Sequence, residues 1–150
     1  MRVKVIAIGN ILMKDDAAGI EAAREIEEKL ISKGIEVIYG ETDIQYCISK
    51  VKEEDYIFIL DAAHYGKSTG EVTFLPLNSF VCSKKGYSQH SYSLIDLMKL
   101  FYPQVKGEIC AIEIEKVEFG FGLSSALGEK LKDISEEILN KIDKVIEVNK

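Results

Sequence analysis

The chain has few of the features that staple a protein, anchor it in a membrane or give it charge of one sign. Its three cysteines, Cys47, Cys82 and Cys110, are odd in number, far apart and never spaced as C-x-x-C, which argues against a disulfide framework and a structural zinc site. A reducing, cytoplasmic setting is therefore expected. Basic residues are the minority, 19 against 25 acids for a formal net charge of -6. The acids are spread along the chain, so the electrostatic footprint of a nucleic-acid partner is missing. No apolar run reaches the length of a membrane span or secretory signal, and the opening segment Met1 to Gly9 reads instead as a first strand. Linkers, internal repeats and low-complexity tracts are absent too. With 47% hydrophobic residues, 150 residues suit one domain over 1–150 with one core and one site.

The common phosphate and nucleophile motifs are lacking as well. There is no G-x-x-x-x-G-K-[ST] loop and no G-x-S-x-G elbow. The loop from Gly9 to Gly19 does join a first strand to a helix. However, Asn10, Leu12, Asp15 and Asp16 stand in it where a dinucleotide site needs closely spaced glycines, and carboxylates repel pyrophosphate.

What is present is a regular alternation of periods. Arg2 to Ile8 is a β-rich run, and Ile20, Ala23, Ile26, Leu30 and Ile31 then fall near helical spacing up to Gly34, a C′ residue. Ile35 to Tyr39 reads as a second strand stopping at Gly40, and a short helix spans Ile44 to Val51. Tyr56 to Leu60 is a continuous apolar run ending at Asp61, as expected for a strand covered on both faces. Glu71 to Leu75 alternates like a half-exposed edge strand before Pro76. A helix from Ser91 to Phe101, a strand from Glu108 to Ile114 and a long final helix with its stripe from Leu123 to Val145 complete the chain. This order predicts a three-layer αβα sandwich around a largely parallel, doubly wound sheet with an antiparallel edge strand. Right-handed crossovers bring the carboxyl ends of its strands to one edge, where ligands bind.

Asp16 at the first helix entry, Asp61 at the end of the third strand and His90 before a helix converge on that edge. Two carboxylates and an imidazole suit a borderline divalent cation such as nickel or zinc and leave a coordination position open. Plainer readings exist for each: a cap or dipole partner for Asp16, a turn residue for Asp61, a helix-entry residue for His90. Asp15 is the better N-cap candidate of the two neighbouring acids. His64 is the alternative imidazole, on an unspecific loop.

Four segments together resemble the hydrogenase maturation proteases. They are Gly9-Asn10-Ile11-Leu12-Met13-Lys14-Asp15-Asp16-Ala17-Ala18-Gly19, Leu60-Asp61-Ala62, Gln89-His90-Ser91 and Phe121-Gly122-Leu123-Ser124. The resemblance covers nearly the whole chain. It implies an endopeptidase that removes the C-terminal extension of a nickel-iron hydrogenase large-subunit precursor once nickel is in place. In it Asp16, Asp61 and His90 recognise a divalent metal, with nickel supplied by the substrate and zinc or cadmium able to substitute. Asp16 and Asp61 are then the candidates for activating water, by aspartic-type or metal-assisted chemistry, and Asn10, Asp15, Gly40, Glu41 and Thr42 are expected at the substrate. Gly40-Glu41-Thr42 departs from the Gly-Gly-Thr turn of many family members, and Ile114 stands where many carry proline. A non-catalytic nickel-binding assembly module and a compact protease of another precursor are the competing readings.

Overall fold

The computed structural model describes residues 1–79 and 89–149; the side chains of Ser79, Gln89, His90 and Tyr92 lie outside the described residues, as does Cys82. Its centre is a five-stranded sheet built from β1 (Arg2–Ile8), β2 (Glu36–Glu41), β3 (Asp55–Ala63), β4 (Val72–Pro76) and β5 (Lys106–Glu113), in the order β2-β1-β3-β5-β4. The first four strands of that order run parallel, and β4 lies antiparallel to β5 at the edge. The edge strand read from the alternation around Val72 and Phe74 is thus observed.

Because successive side chains of a strand point to opposite faces, the sheet supports two apolar layers. Val3, Val5, Ala7, Phe58, Leu60, Cys110 and Ile112 face the helices α1 (Ala18–Ser32) and α5 (Leu131–Val148). On the other face Ile6, Ile8, Ile57, Ile59, Ile109 and Ala111 pack with α2 (Ile44–Ser49) and α3 (Gln89–Phe101), through Cys47, Leu94, Ile95 and Met98. Val5, Ile6, Ala7 and Ile8 are all fully buried, so β1 has no solvent face. This double burial is why β1 and β3 read as continuous apolar runs rather than as alternations. Cys47 and Cys110 are buried free thiols, one in each layer.

At the carboxyl-opposite end of the sheet, the Lys4 ammonium is buried against Asp55 Oδ2 at 2.7 Å and donates to the Lys50 carbonyl at 2.6 Å. The Lys52 amide donates to the same Asp55 oxygen at 2.8 Å. Among the described residues no helix is long and apolar enough to cross a membrane.

Three local expectations are corrected. The last helix is not one element: α4 (Ser125–Gly128) is a single turn, and α5 begins afresh at Leu131. The amides of Glu129 and Lys130 turn back onto the Ser125 and Leu127 carbonyls after Gly128, a residue that favours a break. Strand β3 continues past Asp61 through Ala63, because Ala62 and Ala63 still have partners in Ile112 and Glu113 of β5. A 3-10 turn over Lys14–Ala17 precedes α1, and neither it nor α1 has a side-chain cap, so Asp15 is not the N-cap it was expected to be.

Candidate active site

The site sits where β1 and β3 deliver their carboxyl ends. After Ile8 the chain turns at Gly9, whose φ of 141° and contacts leave no room for a side chain: a Cβ there would lie 2.1 Å from the Asp16 carbonyl oxygen. The loop is thereby folded back on itself. Asn10 reinforces the fold from both ends, its side-chain oxygen accepting from the Leu12 amide at 2.9 Å and its own amide donating to Asp16 Oδ2 at 2.7 Å. Asp16 is half-buried in the 3-10 turn with its carboxylate oriented by that bond.

One turn later Gly19 sets the distance to the next strand. A Cβ on Gly19 would meet the Leu60 carbonyl oxygen at 2.2 Å and the Asp61 amide nitrogen at 2.9 Å, so α1 starts in direct backbone contact with β3 at Asp61. Backbone packing thus holds the start of the helix that follows Asp16 against the strand at Asp61, 45 positions later in sequence. Asp61 itself is 1% exposed, inside the strand rather than in a turn after it. Its Oδ1 accepts from the Ala62 amide at 2.8 Å and its Oδ2 accepts from the hydroxyl of Ser91 in the first turn of α3. Both oxygens are therefore aimed.

Ser91 was not singled out from the sequence. The cue available was its place directly after His90 at the head of a helix, but a serine there reads as an ordinary helix-entry residue until its Asp61 partner is seen. His90 belongs to α3, which puts its backbone beside Ser91 and hence beside Asp61; its side chain lies outside the described residues. Among the described residues no group of three or more His, Cys, Asp and Glu is arranged to hold a metal ion. The chemistry of the donor set nonetheless fits one: an accessible, oriented Asp16 carboxylate and a fixed Asp61 carboxylate at one edge. His64 is exposed beyond Ala63.

Asp15, expected at the substrate, is turned the other way. It is fully buried, and its carboxylate accepts from the Ser124 amide at 2.6 Å, the Ser124 hydroxyl at 2.8 Å, the Lys116 amide at 2.9 Å and the Glu115 amide at 3.1 Å. Burial alone would raise its pKa, but these donors together hold the carboxyl below its ordinary 3.8. Asp15 is a clamp for the segment from Glu115 to Ser124, and a clamp without exposed surface does not touch substrate. The Gly120 amide, which donates to the Leu12 carbonyl at 2.7 Å, and the Lys14 amide, which donates to the Gly120 carbonyl at 3.0 Å, add two more ties between the loops.

The end of β2 is tied to the loop that carries Asp16. Gly40 is buried and a Cβ would strike the Cys47 sulfur at 2.1 Å, so it contributes fit rather than a contact to substrate. Glu41 holds a left-handed φ of 50°, and its carbonyl accepts from the Gly9 amide at 2.9 Å. That backbone explains why glycine suits this position; a glutamate here is strained by about 1 kcal/mol or more. Its side chain and that of Thr42 are exposed beside the loop that carries Asp16. A further buried acid, Glu113 of β5, accepts from the Tyr65 amide through both oxygens at 2.9 and 3.2 Å and shapes the turn after β3.

Comparison with known proteins identifies the family and the fold. The family model described as hydrogenase maturation protease matches residues 20–141. A protein of Methanocaldococcus jannaschii, provisionally assigned to the same activity, is 24% identical over 148 residues, 96% of this chain and 91% of its own. Among solved structures, the [NiFe] hydrogenase maturation protease HybD from Thermococcus kodakarensis superimposes with a TM-score of 0.74 at 29% identity, covering 95% of this chain and 99% of its own. The hydrogenase maturating endopeptidase HybD from E. coli gives 0.76 at 21% identity over 97% of this chain and 94% of its own, and supports the fold.

Proposed function

As the chain belongs to the hydrogenase maturation proteases, peptidases that cleave the C-terminal extension of the nickel-iron hydrogenase large subunit, we propose that Asp16, Asp61 and His90 are the residues with which it meets that substrate. The observation that carries the proposal is the close packing of Gly19 on the Leu60–Asp61 backbone, which supports reading the Asp16 loop and Asp61 as parts of one site.

The two carboxylates are prepared for different work. Asp16, half-exposed and held through one oxygen by Asn10, is placed to meet a nickel ion presented by the precursor. Asp61, buried and gripped by Ala62 and Ser91, is held in one rotamer, as a group that takes a proton from water must be. His90, at the head of α3, supplies the imidazole of the set. The nickel is part of the substrate: a precursor carrying it offers the ligand that an empty precursor lacks, so cleavage follows metal insertion and discriminates mature from immature subunit. Asn10 and Gly40 shape the loops around the bond to be cut, and Glu41 and Thr42 stand at its rim. A cytoplasmic location suits a substrate whose metal centre is assembled before the subunit is finished.

Incubating the purified protein with nickel-loaded precursor from the same genome should shorten the precursor by a fixed mass. Asp16→Ala, Asp61→Asn and His90→Ala should each abolish that shift, and Asp16→Glu should retain part of it. Wild-type cutting by both the Asp61 and His90 variants would remove the triad; precursor binding with no mass shift under any condition would favour an assembly module.

A further inference from the structure

Large apolar side chains stand in solvent at the edge of the site. Phe119 and Phe121 are 79% and 76% exposed, and Val117 and Leu12 are exposed beside them in the same pair of loops. Scattered exposed apolar residues are ordinary, but neighbouring aromatics on one rigid loop are not.

The loop is rigid by construction. Asp15 grips its start at Glu115 and Lys116 and its end at Ser124. Its middle is fastened by Gly120, bonded on both sides to Leu12 and Lys14. Gly120 and Gly122 hold positive φ values of 150° and 84°, so the two phenylalanines alternate with glycines in a backbone conformation that other residues rarely adopt. The side chains are thus presented from an ordered frame without being covered by it. The frame is continuous with the active site, since Asp16 follows Lys14 by two residues and its amide donates to the Met13 carbonyl at 3.1 Å.

Resting on the substrate assignment above, we propose that Phe119 and Phe121, together with Val117 and Leu12, are the docking platform for an apolar segment of the hydrogenase large-subunit precursor. The occupant follows from position and charge. A polypeptide whose scissile bond lies at Asp16 must pass over the loops around it, and aromatic anchors ringed by charged groups are the usual centre of a protein-recognition surface. The ring here is of mixed sign, with Glu115, Glu118, Lys14 and Lys116. An anionic membrane surface selects for basic residues and is opposed by the two glutamates. A second copy of this chain seated on the platform would cover the loop that has to receive substrate. Because the platform is already ordered, docking costs little of the entropy that a floppy loop would lose.

The test is the double variant Phe119→Ala/Phe121→Ala, with Phe119→Leu/Phe121→Leu as the conservative control. Both substitutions remove exposed surface, so the melting temperature should stay near wild type and fold is not in question. The Ala pair should raise KM for nickel-loaded precursor at least tenfold, the effect falling on KM and not on kcat, and the Leu pair should recover most of it. In parallel, equilibrium binding of labelled precursor should weaken at least tenfold in the Ala pair. That readout does not require cleavage, so wild type that binds through the platform but cuts nothing would sink the peptidase assignment and leave the platform standing. Unchanged KM and binding, or a fall in kcat alone, overturns the platform. So does a wild-type dimer in light scattering that the Ala pair dissolves, or wild-type binding to phosphatidylserine vesicles that the pair abolishes.

Discussion

Replacing Asp15 by asparagine changes one atom and should cost roughly 3 kcal/mol. The side chain is fully buried and accepts four hydrogen bonds, three on Oδ2 from the Glu115 amide, the Lys116 amide and the Ser124 hydroxyl, and one on Oδ1 from the Ser124 amide. An asparagine can keep its oxygen on the side of the three donors, but its NH2 group then faces the Ser124 amide, whose nitrogen lies 2.6 Å from Oδ1 in the native protein. Two donors cannot bond each other. One backbone N–H is left buried and unpaired, at about 1–3 kcal/mol, and the three remaining bonds lose their charge assistance. The sign of the pH dependence is fixed by the folded pKa lying below 3.8. A carboxyl depressed in the folded state contributes stability that is complete above its unfolded value and is lost as pH falls through the folded one. Guanidinium unfolding of wild type and Asp15→Asn should therefore show a gap of roughly 3 kcal/mol at pH 7 that narrows below about pH 4. A loss under about 1 kcal/mol at pH 7, or a gap that stays constant down to pH 3, would refute the clamp. The same variant should also process precursor with a raised KM, since the platform of Phe119 and Phe121 hangs from this carboxylate.

Gly19→Ala should destabilise by several kcal/mol and abolish processing, because its Cβ cannot lie 2.2 Å from the Leu60 carbonyl oxygen unless α1 moves off β3; normal stability and activity would mean that the two elements separate freely. Lys4→Met strands the buried Asp55 carboxylate and should cost about 3–5 kcal/mol in urea unfolding, with Lys4→Met/Asp55→Leu recovering most of it. Precursor made without nickel should stay uncut even when the peptidase is pre-incubated with the metal, while chelator-stripped peptidase should still cut nickel-loaded precursor; equal cutting of loaded and empty precursor would overturn recognition through the substrate's metal. Asp61→Ala should lower stability measurably, by about 1–3 kcal/mol, since it removes a buried carboxylate that accepts from the Ala62 amide and the Ser91 hydroxyl, whereas Asp16→Ala at a half-exposed position should change the melting temperature little.

What could be read in advance was whatever local period or chain order determines. The two-sided burial of β1 and β3 makes their middles, Val5 to Ile8 and Ile57 to Leu60, continuously apolar, whereas β4 at the sheet edge is only half-buried, with Val72 and Phe74 on one core layer and Leu75 on the other. Parallel order follows from the intervening helices. Asp16 lies in the loop that follows β1 and Asp61 near the carboxyl end of β3, as chain order alone led one to expect. Asp15 was misread because its partners Glu115, Lys116 and Ser124 lie about a hundred residues away; from local sequence alone, an acid before a helix looks like a cap. Asp61 was expected to end β3 because the apolar run stops there, and only pairing of Ala62 and Ala63 with β5 shows that the strand continues. The unbroken stripe from Leu123 to Val145 concealed the break after Gly128, because apolar spacing records which face is buried and does not record a change of axis between two helices that bury the same face.

Nickel prefers to stay where thiolates hold it, so a peptidase that approaches a nickel centre with loose thiols of its own would compete with the precursor for the ion. Burial pushes the Cys47 thiol up to about 11, with Asp43 adding to the effect, and raises that of Cys110 further. At neutral pH both remain protonated, and a protonated, enclosed sulfur is neither a ligand nor a nucleophile. Cys47 lies directly beneath Gly40. On the proposed assignment, in which Asp16, Asp61 and His90 meet the precursor's nickel, the closed position of Cys47 keeps that thiol out of competition for the ion.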